Sequence, residues 1–185
     1  MTNEVIKDIQ HRMHGAIEAL HRDFKTLRTG RANAAMLDGV TVDYYGTPTP
    51  ISQVASLKVP ESSLILAEPW DKSMLAPIEK AIRNADLGLN PMTDGKVIRI
   101  PIPQLTEERR KELVKVVRRY AEEGRVAVRN VRRDAIHHLK EAEKKGEMAF
   151  DDLGRAEEQV QKITDEHTKL IDELLKHKEA EILEV

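Results

Sequence analysis

The chain has 185 residues, 40% of them hydrophobic, which is enough for one or two packed cores. No run approaches the roughly 18 apolar residues of a membrane span, and the opening MTNEVIKDIQHRMHG lacks the apolar core of an export signal. The absence of cysteine rules out thiolate catalysis, disulfides and thiolate metal sites, and the net charge of −2 is close to balanced. The expectation is a cytoplasmic protein with no membrane contact.

Apolar residues open the chain at heptad spacing: Ile6, Met13, Leu20 and Leu27 form one row, with Ile9, Ala16, Ile17 and Phe24 beside it. This predicts a long amphipathic helix, broken at Thr29 and Gly30. From about Val40 the texture changes to the β-rich runs VTVDYY, ISQVASLKV and SLILAEPW, separated by turn formers at Gly46–Pro50 and Pro60–Ser62. A helix is predicted over Ser73–Ala85, where Pro77 is acceptable only in the first turn. A last strand, Val97–Ile102, runs into Pro101 and Pro103, so the exit should be stiff and extended.

Thr106 is placed to cap a second long helix, with Glu107 and Glu108 where carboxylates complement its dipole. Its apolar row runs from Leu113 through Val117, Tyr120, Ala121, Val128, Val131 and Ala135 to Leu139 and Ala142. Gly146 marks a turn. A third helix starts near Asp151 or Asp152 and carries Ala156, Val160, Ile163, Leu170, Leu174 and Ile182 on one face.

Each long helix has one apolar stripe, which a bundle buries and an isolated helix leaves wet. The expected fold class is therefore α+β: a long three-helix bundle from residues 1–29 and 106–185, with a small β/α/β domain, 31–104, inserted at one end. Two passages of chain join the parts, and so slender a connection suggests hinges near 29–31 and 103–105, at Thr29, Gly30, Arg31, Pro103, Gln104 and Leu105.

Charge is distributed unevenly. Residues 106–140 carry eleven Lys/Arg against six Asp/Glu, and residues 141–185 carry seven against fourteen. On a wheel of about 100° per residue with Arg118 at zero, Lys111, Lys115, Arg118, Arg125, Arg129, Arg132, Arg133 and Lys140 fall between about −40° and +60°. They make one basic stripe clear of the apolar row, which centres near about −110°. The plain alternative is a solvated face neutralised by Glu122 and by acidic residues of the third helix. Arginine dominates, however, and its planar fork matches phosphate oxygens. With almost no interleaved carboxylate expected on the stripe, RNA phosphate is the natural ligand. Six aromatics in the whole chain argue against base-stacking platforms for single strands.

Catalytic patterns are missing from the sequence. Asp94-Gly95-Lys96 is followed by Val97 and preceded by Asn90 where a phosphate loop needs its first glycine, so it reads as a turn. No nucleophile elbow and no zincin helix occur. His11 with His14, and His137 with His138, lack further ligands at metal-binding spacing. No metal and no cofactor are expected. An enzyme built on the insert has only Tyr44, Asp71, Glu79 and Asp86 to offer, in no arrangement that assigns them roles. A coiled-coil adaptor, its stripe pairing with an acidic protein helix, is the nearer rival.

Five runs, in order, resemble those of bacterial ribosome recycling factors: Arg28-Thr29-Gly30-Arg31-Ala32, Tyr44-Tyr45-Gly46-Thr47-Pro48-Thr49-Pro50, Asp86-Leu87-Gly88-Leu89-Asn90-Pro91, Leu105-Thr106-Glu107-Glu108-Arg109-Arg110-Lys111 and Arg125 to Asp134. The resemblance spans essentially the whole chain. It implies an L-shaped, two-domain, monomeric molecule with no catalytic residues. It also implies separation of the post-termination ribosome into subunits together with elongation factor G and GTP. The family's bundle lies on large-subunit ribosomal RNA, and its arginines carry over onto Arg129 and Arg132, with Arg110 and Arg28 as further candidates. The inserted domain is where family members meet elongation factor G.

Overall fold

The heptad rows of the first segment fold as α1 (Thr2–Lys25), burying Ile9, Met13, Ile17, Leu20 and Phe24. The helix closes earlier than the break at Gly30 suggests. The Thr26 N–H bonds to the carbonyls of Arg22 and Asp23, and its hydroxyl donates to Asp23 at 2.6 Å. Leu27 therefore lies beyond the helix, half-buried. The structure, a computed structural model describing residues 1–184, separates into two compact units. One is Met1–Thr29 with the chain from Glu107 onward, and the other is Gly30–Thr106.

The first unit is completed by α3 (Glu107–Lys144) and α4 (Phe150–Leu183). With 38 residues, α3 is about 57 Å long. The turn after it is specified by Gly146, at φ 72°. Its N–H reaches the Glu143 carbonyl and the Glu147 N–H reaches Ala142, which together satisfy the last carbonyls of α3 and reverse the chain. Each of the three helices packs on the other two. On α3 the buried set is Leu113, Val117, Ala121, Val128, Val131, Ala135, Leu139 and Ala142 with Val114 and Gly124, close to the predicted row. On α4 the prediction slips. Leu170 is exposed, and Ile171 is fully buried. A strict seven-residue step from Ile163 drifts off the seam of a straight helix. The true seam, Val160, Thr164, His167, Ile171, was disguised by two polar members. Both are satisfied locally: the Thr164 hydroxyl donates to the Val160 carbonyl at 2.7 Å, and His167 Nδ1 lies 2.7 Å from that of Ile163.

The second unit holds a hairpin, β1 (Thr41–Tyr44) and β2 (Thr47–Pro50), and a four-stranded antiparallel sheet. In that sheet the order is β3 (Ala55–Glu61), β4 (Leu64–Pro69), β6 (Ile98–Pro101), β5 (Met92–Thr93). Thr47–Pro50, expected as turn, is a strand. The two-residue turn ahead of it is Tyr45-Gly46, at φ 50° and 85°, the left-handed pair that suits the twist of a tight hairpin. Ile51–Gln53, expected as strand, is a single 3₁₀ turn. The helix α2 (Leu75–Asn84) follows another such turn, whose Ser73 N–H is capped by the Asp71 carboxylate, and Pro77 does stand in the first turn of α2. Alternation is clean where the sheet covers the core: Ile65 and Ala67 on β4 and Ile98 and Ile100 on β6 are buried, against Ile78 and Ile82 of α2.

Candidate nucleic-acid interface

The site is carried by α3. Because α3 is one uninterrupted helix, the stripe of cations read from the sequence is a physical row. Lys111, Arg118, Arg125, Arg129, Arg132 and Arg133 share its flank beside α4. Two predicted residues do not join them. Arg110 sits half-buried toward the apolar side, and Arg28 stands on the chain leaving α1.

The row is not as bare of counter-charge as its sequence suggests, and this corrects the expectation above. Arg118 donates to Glu179 at 2.6 Å. Arg125 reaches Asp172 at 2.7 Å and Glu122 at 3.2 Å, and Arg129 closes on the same Glu122. Arg132 Nε donates to the Gln161 side chain at 2.7 Å, and Lys111 meets Glu107 at 3.1 Å. The antiparallel return of α4 brings residues 47 and 61 positions away onto the stripe, which no spacing rule within one helix reveals. The bonds from Arg129 and then Arg125 hold the Glu122 carboxyl below its ordinary range. The bond to Glu179 raises the Arg118 guanidinium in turn.

Arg133 and Lys115 remain exposed, and among the described residues neither has a carboxylate partner. A third outward cation, Arg119, lies over the ring of Tyr120 at 5.6 Å. It escaped the sequence reading because it falls about 40° beyond the stripe. The Arg129–Glu122 pair is exposed on both sides, and such pairs are weak, typically ~0–1 kcal/mol, so phosphate oxygens can replace that carboxylate at small cost. Glu179 beside Arg118 and the Arg125 guanidinium are half-buried in their pairs. The surface is a row of fixed and free cations, suited to a polyanion of extended shape.

Elsewhere, Asp94-Gly95-Lys96 is a tight turn. Asp94 accepts the N–H groups of Val97 and Lys96, which lowers its pKa, and Gly95 sits at φ 92°. Among the described residues no three His, Asp or Glu converge as metal ligands, and no helix is long and apolar enough to cross a membrane.

Comparison with known proteins bears on what this surface serves. The family model described as Ribosome recycling factor matches residues 20–183. A ribosome-recycling factor of Nitratidesulfovibrio vulgaris is 58% identical over 98% of this chain and 97% of its own length. One from Legionella pneumophila is 55% identical over the full length of both. Among solved structures, a ribosome recycling factor in solution aligns with TM-score 0.75 and 41% identity, covering 100% of this chain and 98% of its own. A second match is to models for the T. thermophilus ribosome recycling factor and the E. coli elongation factor G bound to the E. coli post-termination complex. It has TM-score 0.64 and 46% identity and covers 99% of both chains. Identity at this level over the whole length, with both units matched, means that the chain belongs to the ribosome recycling factor family.

Proposed function

We propose that this chain binds the post-termination ribosome through the cationic flank of α3, laid on large-subunit ribosomal RNA, and with elongation factor G and GTP drives the subunits apart. The observation that carries the reading is the row on one long helix in which Lys115, Arg118, Arg129 and Arg133 are exposed and Arg125 and Arg132 half-buried between them. A polyphosphate backbone is the ligand whose charge spacing such a row can follow. The match to a recycling factor bound with elongation factor G on a post-termination complex supports both partners. The protein works in the cytoplasm as a monomer, by binding and displacement, without bond chemistry of its own.

Bending is assigned to the two passages between units, at Thr29, Gly30, Arg31 and at Pro103, Gln104, Leu105. A wedge needs one part anchored and another free to be pushed; the chain crosses between units at Thr29–Gly30 and at Thr106–Glu107, so the first hinge falls on a crossing and the second lies just ahead of one.

The test is light scattering of post-termination ribosomes mixed with the chain, elongation factor G and GTP, repeated with Arg129 and Arg132 both changed to Ala. Scattering should fall with the unaltered chain and fall far less with the double variant. Unchanged scattering with the unaltered chain, beside an active control factor, overturns the reading. Full activity of the double variant moves the RNA contact off this part of α3.

A further inference from the structure

Strand β1 is paired along one edge only. In an antiparallel ladder, successive residues turn their N–H and C=O groups alternately toward the partner and away from it. The Ile51 N–H donates to the Val40 carbonyl at 3.1 Å, and in the same register Val42 stands opposite Thr49 and Tyr44 opposite Thr47. The even-numbered residues therefore bond to β2. Thr41 and Asp43 stand opposite Pro50 and Pro48, which have no N–H to give. Their own backbone groups point to the other edge, and among the described residues nothing answers them.

The two edges of this hairpin differ in kind. On β2 the outward positions are Pro48 and Pro50, which block strand addition. On β1 they are Thr41 and Asp43, and these border a groove of about 670 Å³ whose far wall is α2. That wall presents Pro77, Lys80, Ala81 and Asn84 at helical spacing, and its alanine leaves room beside the strand where an ordinary solvent-facing helix would place long side chains. Lys80 is exposed and has no carboxylate partner among the described residues.

We propose that the open edge of β1 and the adjoining face of α2 form a strand-addition site for an extended segment of a partner protein, one with small apolar side chains and a carboxylate opposite Lys80. The unanswered backbone groups ask for an alternating N–H and C=O ladder, which only a polypeptide offers. The groove holds one cation, Lys80 on the wall, and one carboxylate, Asp43 on the strand, so a guest carboxylate is placed at the wall, opposite Lys80 and away from Asp43. A second copy of this chain suits the edge less well, since its own β1 is flanked by its own α2 and two such edges would bring helix against helix. The small residues of the wall favour small side chains in the guest.

The experiment titrates the ¹⁵N-labelled full chain with the peptide Ac-Ala-Val-Ala-Val-Glu-NH₂, with the same peptide ending in Lys, and with the Glu peptide N-methylated at alternate amides. With the Glu peptide, the amides of Thr41 and Asp43 should shift and gain protection from exchange, while those of Val42 and Tyr44 keep the protection they have. The methylated peptide should not bind. Thr41→Pro removes one outward N–H and leaves the β1–β2 pairing intact, and should weaken binding about five- to tenfold. Lys80→Glu, on an exposed position, should move the preference from the Glu to the Lys peptide by about two- to fivefold, and decides the matter should Thr41→Pro not fold. No response at Thr41 and Asp43 to any peptide overturns the proposal, as does equal binding of the methylated one. Shifts of these amides with protein concentration alone overturn it too and give the edge to a second copy.

Discussion

Gly30 is held at φ 78°, and a methyl group on it would lie 2.9 Å from Cγ of Leu105, well inside van der Waals contact. Gly30→Ala therefore meets two costs. Left-handed backbone costs an L-residue ~1–2 kcal/mol. Pushing Leu105 aside into a poor rotamer costs ~0.5–1.5 kcal/mol more. The sum, ~1.5–3.5 kcal/mol, falls on the unit that contains both residues. Native-state hydrogen exchange at the amides of Ile65 and Ile100, in the central strands β4 and β6, reads the stability of that unit, and protection there should drop about 10- to 400-fold. The second variant separates the two costs. In Gly30→Ala with Leu105→Ala the contact is gone and only the backbone strain remains, so the double variant should be more stable than the two single effects predict, by ~1 kcal/mol. Strict additivity, or a loss below ~0.5 kcal/mol for Gly30→Ala alone, would refute both the strain and the contact.

Glu122→Gln releases Arg129 and Arg125 from their shared carboxylate, so affinity for a ribosomal RNA fragment should rise and its log–log salt slope should steepen by about 0.9, measured by titration at several salt concentrations. The same variant has a pH signature. Because the Glu122 pKa is depressed in the folded chain, its contribution is complete above the ordinary carboxylate range and is lost as pH falls through the folded value. The fall in melting temperature on acidification should thus be smaller in the variant. Gly15→Ala, with no atom within 4 Å of the added carbon, should stabilise the bundle by ~0.5–1 kcal/mol. Gly124→Val should destabilise it by ~1–3 kcal/mol, since an added Cβ alone would lie 3.5 Å from Ile171 and 3.8 Å from Leu20, leaving no room for the two methyl groups beyond it. Thermal unfolding of the two glycine variants, followed by circular dichroism, checks the pair.

The helices were legible because their apolar spacing is local. Ile9, Met13, Ile17 and Leu20 on α1, or Val117, Ala121 and Val128 on α3, announce their buried face without reference to anything distant. Legibility failed where polar residues occupy a core seam, as Thr164 and His167 do on α4, because their satisfaction by carbonyls one turn back is invisible to a hydrophobicity pattern. It failed again at Thr47–Pro50. Two prolines in four residues argue against a strand, unless both fall on the outward side of an edge, and their pairing with Thr41 and Asp43 puts them there. The cationic row was legible as a set of positions and illegible as a set of free charges. Its partners Asp172 and Glu179 arrive only through the fold of α4 back along α3.

That last difference changes what binding would look like. Eight independent cations neutralising eight phosphates would give a log–log salt slope of about −7. On the proposed reading, Arg118, Arg125 and Arg129 must first leave Glu179, Asp172 and Glu122. Each phosphate contact they make then exchanges one anion for another and releases the carboxylate to solvent. The gain per contact is small, and the carboxylates stand ready to recapture the arginines. Arg133 and Lys115 have no such competitor and should carry more of the affinity per residue. Arg133→Ala should therefore weaken binding to a ribosomal RNA fragment more than Arg118→Ala, although both remove one charge from the same row. Equal losses from the two substitutions, measured at one salt concentration, would mean that the pairs with α4 do not compete with RNA.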